Sequence, residues 1–78
     1  MPMTAPDVQA WFVNEVLPLE AQLTSSLRHN WRHADDVADL RQDVYERVCA
    51  AAHREVPDNP KQFVFRTARN LLIDRVRR

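Results

Sequence analysis

Residues 60–78, PKQFVFRTARNLLIDRVRR, have the side chains for one kind of chemistry: holding a polyanion that also offers stackable rings. Lys61, Arg66, Arg69, Arg75, Arg77 and Arg78 stand against Asp74 alone, a formal charge of +5 in a chain whose total is zero. Phe63, Phe65 and the triplet Ala68-Arg69-Asn70 lie among these cations. Cations beside aromatic rings match a partner with phosphates and bases. The opposite charge collects upstream. Asp35, Asp36, Asp39, Asp43 and Glu46 outweigh Arg41 and Arg47, a net of −3 over residues 35–47. An acidic segment followed by a basic one points to two surfaces with two partners. Plain solvation of a helix with acids near its start explains the acidic segment equally well.

Covalent chemistry finds no comparable constellation. Thr24, Ser25, Ser26 and Thr67 have no evident histidine base and carboxylate in reach. The chain has no glycine and therefore no phosphate-cradling loop. Asp39 and Asp43 share a helical face, but paired carboxylates on an exposed helix are usually just solvated. His29 and His33 are four apart, a spacing that holds a metal on one continuous helix. Here the pair straddles an expected helix end, so two solvated histidines are the simpler reading. Cys49 is the single cysteine, which rules out an internal disulfide and a four-cysteine zinc site. A lone cysteine on a helix is most often a small buried hydrophobe. No catalytic residue, metal or cofactor is therefore assigned, and an enzyme is not expected.

The elements that must position these residues are helices. Seventy-eight residues, 45% of them apolar, make one domain near the lower size limit for an independent core. Without glycine, tight hairpins and left-handed caps are hard to build. The expected fold is all-α, a compact bundle of three to four helices. Residues 1–6 read as a frayed leader and residues 7–78 as the domain. Asp7 can cap a first helix with Val8, Trp11, Phe12, Val16, Leu19 and Leu23 on its apolar side. Pro18 predicts a kink or short break there. Leu19, Leu23 and Leu27 follow at intervals of four, and that helix ends near Arg28-His29-Asn30. Asp35 or Asp36 is the expected cap of the next helix. Its stripe is Val37, Leu40, Val44, Val48 and Ala51, and an Asp43–Arg47 pair at i, i+4 is worth about 0.3 kcal/mol. After a polar loop over residues 54–59, Asn59 caps and Pro60 starts the last helix. Its expected core side is Val64, Ala68, Leu71, Leu72 and Val76. Trp11, Phe12 and Trp31 are most simply core. Phe63 and Phe65 point to different sides, so one of them can face a base, while burial of both is an equally simple reading.

No apolar run approaches the roughly 18 residues of a membrane span. Residues 1–9 lack both the basic region and the apolar stretch of a signal peptide. The expected location is the cytoplasm, with no membrane partner.

Two segments resemble a known family. Asp39-Leu40-Arg41-Gln42-Asp43-Val44-Tyr45-Glu46-Arg47-Val48 is similar to the helix "D-L-x-Q-acid-x-aromatic-x-R-aliphatic" in the second conserved region of bacterial sigma factors. Some twelve residues on, Asn59 to Arg78 resembles that region's promoter-reading helix: an aromatic pair, A-R-N, an aliphatic run, an aspartate and a basic end. The likeness is closest to the small extracytoplasmic-function group and runs from about Val8 to Arg78. Order and spacing together make it far more specific than either motif alone.

The resemblance implies a transcription initiation domain with two partners. Asp39, Gln42, Asp43, Glu46 and Arg47 would dock on the clamp helices of the RNA polymerase β′ subunit, where an acidic stripe sets orientation and on-rate. The loop and last helix would engage the non-template strand of the promoter −10 element. Arg54, Asn59, Lys61, Phe63, Arg66, Arg69, Asn70 and Arg77 are the residues it assigns to DNA. A flipped base would sit in a pocket shaped by the loop, with unstacking offset by new contacts. Arg75, Arg77 and Arg78 would touch upstream duplex or begin an interdomain linker. The sequence departs from the family pattern at Gln62-Phe63, where a tryptophan is common, and in the acids Glu55 and Asp58 of the loop. The family's second DNA-binding domain, which reads the −35 element, is absent, so a fragment of a longer chain is expected. The alternative function is a helical protein-interaction module held mainly by an anti-sigma partner.

Overall fold

A computed structural model describes residues 5–77, all of them in helices or the short turns between them. Helix α1 spans Ala5–Trp11, α2 Glu20–Asn30, α3 Val37–Arg54 and α4 Pro60–Arg77. Asp7 falls in the first turn of α1 rather than at its cap. The remainder of the expected leader, residues 1–4, and the terminal Arg78 lie outside the described residues.

Pro18 does not break the chain between α1 and α2. A wide π turn over Phe12–Val16 and a tight 3-10 turn over Leu17–Leu19 keep it helical from residue 5 to residue 30. Proline offers no N–H and its ring crowds the carbonyl four residues back. The backbone answers by widening first, with the Leu17 N–H donating five residues back to the Phe12 carbonyl. It then tightens, the Glu20 N–H reaching only to Leu17. Val16 is completely buried in this irregular stretch, and the π turn packs on α4.

One core joins the four helices. Leu23 and Leu27 come from α2, Leu40, Val44 and Val48 from α3, and Val64 and Leu71 from α4, all essentially without solvent exposure. Each such side chain contributes roughly 1.5–3 kcal/mol on burial. Trp11 is buried, whereas Phe12, Trp31, Phe63 and Phe65 are half-buried against this core. Helix α3 is central, packing on α2, α4 and α1. Its buried residues Leu40, Val44 and Val48 keep an interval of four, and the strip continues along that row. Ala52, not Ala51, completes it.

The two longest helices begin differently. Asp36 occupies the cap position of α3 but makes no side-chain cap bond. Its Oδ2 instead accepts the Trp31 indole N–H at 3.1 Å, because a half-buried indole needs an acceptor. A 3-10 turn over Ala34–Asp36 leads the chain into the helix in place of a capping side chain. At α4 the Asn59 Oδ1 accepts the Gln62 N–H at 3.0 Å, and the Asn59 carbonyl accepts the Phe63 N–H at 3.0 Å. Pro60 is the first helical residue, as expected of a ring that fixes φ and lacks the donor the first turn leaves idle.

Candidate nucleic-acid interface and docking face

Helix α3 presents an outward ridge between two polar seams. The ridge is Asp39, Gln42 and Glu46, all exposed. On the α2 side, Arg41 donates from Nη1 to Thr24 Oγ1 at 2.9 Å and lies 3.9 Å from Glu20. The Tyr45 hydroxyl donates to Glu20 Oε1 at 3.0 Å. Its ring meets Phe12 edge to face, centroids 5.0 Å apart. Burial pushes the Tyr45 hydroxyl up to about 12, helped by the bond to Glu20 and that carboxylate's charge, while Arg41 pulls the other way.

On the α4 side, Arg75 Nη2 pairs with Asp43 Oδ2, and Arg47 Nη1 lies 3.3 Å from Asp74 Oδ2. The expected Asp43–Arg47 pair within α3 is thus replaced by two pairs between helices. Helix α4 brings an acid and a base beside them, and every charge finds its opposite across the seam. The five expected docking residues therefore divide. Asp39, Gln42 and Glu46 stand outward, while Asp43 and Arg47 are held by α4.

The residues assigned to DNA lie on α4, in the loop before it and, for Arg54, at the end of α3. Arg54, Lys61, Arg66, Arg69, Asn70 and Arg77 are exposed, and none of these cations joins an ion pair among the described residues. At 100° per residue, Arg66, Arg69, Asn70 and Arg77 fall within roughly 100° of one another on α4. Lys61 lies off that face, near the helix start. Asn59 is exposed, but its side-chain oxygen is engaged in the cap. Phe63 is half-buried, its carbonyl accepting the Thr67 hydroxyl at 2.8 Å. Arg75 lies about half a turn from Arg66, on the side turned to α3.

The sequence reading missed a groove. An open cavity of about 610 Å³ runs between α2 and the C-terminal half of α4, with Leu27, Trp31, Phe65 and Leu72 in its walls and Arg69 and Arg77 beside them. Val76, expected in the core, lines this groove and is 71% exposed. The reason is angular: Val76 lies roughly 120° round the helix from Val64, whereas Arg75 lies within about 20° of it. A strict 3.6 count would have shown that the core stripe ends on an arginine and that Ile73 and Val76 start a second apolar line.

His29 and His33 are both exposed. Among the described residues no three of His, Cys, Asp and Glu stand together as a metal-holding group. Burial pushes the Cys49 thiol up, which disfavours the reactive thiolate.

Two charged helices that separate an acidic ridge from a cationic face suit a domain that bridges a protein and a nucleic acid. The model of the family Sigma-70 region 2 matches residues 12–78. The chain belongs to the Sigma-70 region 2 family. No curated protein and no solved structure matches it. Sigma region 2 is a non-catalytic part of sigma factors that acts in transcription initiation and promoter melting, with RNA polymerase core and promoter DNA as partners. The all-helical architecture agrees with that membership. No described helix of this sigma region 2 is long and apolar enough to cross a membrane.

Proposed function

We propose that this domain belongs to the extracytoplasmic-function group of cytoplasmic sigma factors. In this reading it docks through α3 on the β′ clamp helices and engages the non-template strand of the −10 element through α4. The observation that carries this reading is the division of charge between two solvent-facing surfaces. Asp39, Gln42 and Glu46 leave one ridge acidic and open, and Asp43 and Arg47 border it. Arg66, Arg69 and Arg77 leave another surface cationic, Lys61 stands near the start of α4 and Arg54 in the last turn of α3, and none of these cations has an ion-pair partner among the described residues.

The roles follow from the geometry. The cations position phosphates, which fixes register but carries no sequence information. Phe63, half-buried at the start of α4, offers a ring to a base, and Asn70 shares a face with Arg66 and Arg69 and can read a base edge. Asn59 acts through the cap, fixing where the loop delivers the first turn of α4. A chain of zero formal charge holds DNA weakly alone, so strand capture follows polymerase docking.

The experiment pairs two variants. Glu46→Arg reverses a charge on the open ridge and weakens binding to core RNA polymerase; unchanged affinity would sink the docking assignment. Arg69→Ala leaves polymerase binding intact and weakens binding to a single-stranded −10 oligonucleotide. It also lowers the salt slope of that binding by about 0.7, the loss of one phosphate contact on a single strand. The apolar groove beside Arg69 favours a second reading, a helical module held by an anti-sigma partner. Absence of oligonucleotide binding even at low salt, and in the presence of polymerase, would decide for it.

A further inference from the structure

Arg75 and Asp74 sit in the basic tail by sequence but do not share its surface. We propose that they are positioning residues of the polymerase-docking face, aligning Asp43 and Arg47 for the partner. This rests on the docking role given to α3 above and extends that face onto the C-terminal third of α4.

The geometry points this way at three levels. Helices α3 and α4 run antiparallel along the seam: Asp43 meets Arg75, and Arg47, one turn later, meets the preceding residue Asp74. Asp43 and Arg47 lie about 40° apart on one side of α3, so Asp74 and Arg75, adjacent on α4, close a two-pair clasp along that side. Each contact also leaves capacity for a partner. Among the described residues, Asp43 and Asp74 each accept through Oδ2 only, and Arg47 donates through Nη1 only. A carboxylate offers about four lone-pair sites and a guanidinium five N–H donors. The four side chains keep between about a third and a half of their surface in solvent, so that capacity faces outward.

A partner that met a free aspartate and a free arginine here would have to immobilise both. Ordering one long side chain costs an association a factor of about two to ten. With the clasp in place that ordering is done within the fold. The same contacts withdraw Arg75 from the DNA-facing set, leaving Lys61, Arg66, Arg69 and Arg77 there. The clasp itself is neutral, so the net charge shown to polymerase comes from Asp39 and Glu46.

The test uses the 78-residue chain with purified core RNA polymerase and, separately, a single-stranded −10 oligonucleotide, thermal unfolding reporting that each variant is folded. Arg75→Gln weakens polymerase binding about two- to tenfold and leaves oligonucleotide binding unchanged; Arg75→Lys restores most of the loss. Asp43→Asn with Arg75→Gln is no weaker than Asp43→Asn alone, because Arg75 acts through Asp43. A loss in Asp43→Asn with none in Arg75→Gln overturns this inference and leaves the docking reading standing. A fall in oligonucleotide affinity for Arg75→Gln, with polymerase binding unchanged, overturns it in favour of a DNA contact. No loss in either variant overturns both.

Discussion

The two flanks of α3 are built from different materials. Toward α2, charge is combined with aromatic packing: Glu20 serves both Tyr45 and Arg41, Arg41 also bonds Thr24, and the Tyr45 ring abuts Phe12. Toward α4 the polar contacts among the described residues are two ion pairs, Asp43–Arg75 and Arg47–Asp74, at the rim of a dry core of Val44, Val48, Val64 and Leu71. An aromatic contact keeps its strength in salt, whereas exposed ion pairs are screened and worth about 0.2–1 kcal/mol. The comparison teaches that the polar contacts toward α2 are backed by ring packing, whereas those toward α4 rest on charge alone. The polar rim of the α3–α4 seam is the part that a charged partner can address.

The largest effect that tests this contrast is Tyr45→Ala. It removes the edge-to-face contact, the hydroxyl bond and half-buried ring area, and destabilises the fold by about 2 kcal/mol. Equilibrium unfolding in urea measures it, and the loss stays nearly constant from low salt to 1 M salt. Arg47→Ala is smaller, below about 1 kcal/mol, and its cost shrinks toward zero over the same salt range. A salt-independent cost at Arg47 would break the comparison, since both flanks would then be equally fixed.

The smallest effect sharpens the α2 flank. Tyr45 is the only tyrosine, so phenolate absorbance reports it alone. Its hydroxyl titrates at about 12, above the ordinary value of 10. The proton is held more tightly in the folded than in the unfolded chain. The associated stability is therefore fully present below pH 10 and is lost as pH rises from 10 through about 12. Glu20→Gln removes the neighbouring charge and lowers the titration midpoint, but not to its ordinary value, because burial of the ring remains the larger cause. An unchanged midpoint in that variant would remove Glu20 from the account.

Much of the fold was legible in the residues. Leu23 and Leu27, the stripe Val37–Leu40–Val44–Val48, and Val64, Ala68 and Leu71 are buried as their spacing requires. The start of α4 follows from Asn59-Pro60 because a cap is a local event, decided within four residues. Asp36 shows the limit of such reasoning. It has a capping residue's identity and position, yet a nearby indole N–H claims its carboxylate. Pro18 was legible as a disturbance but not as its resolution, since widening and tightening by turns also needed Val16 seated in the core.

The sequence by itself determined that this chain is a helical bundle, that acid and base are separated along it, and that its motifs are those of sigma region 2. Those properties are set by periodicity and order, which are written in one dimension. Only the tertiary structure decided which charges are free. Asp43 and Arg47 are four apart and read as partners, yet each pairs with α4, and Arg75 leaves the basic face to do so. The physical reason is that helical spacing fixes which residues share a face. Which residue lies across the seam is fixed by how two helices cross and in what register, and that depends on the packing of the whole core.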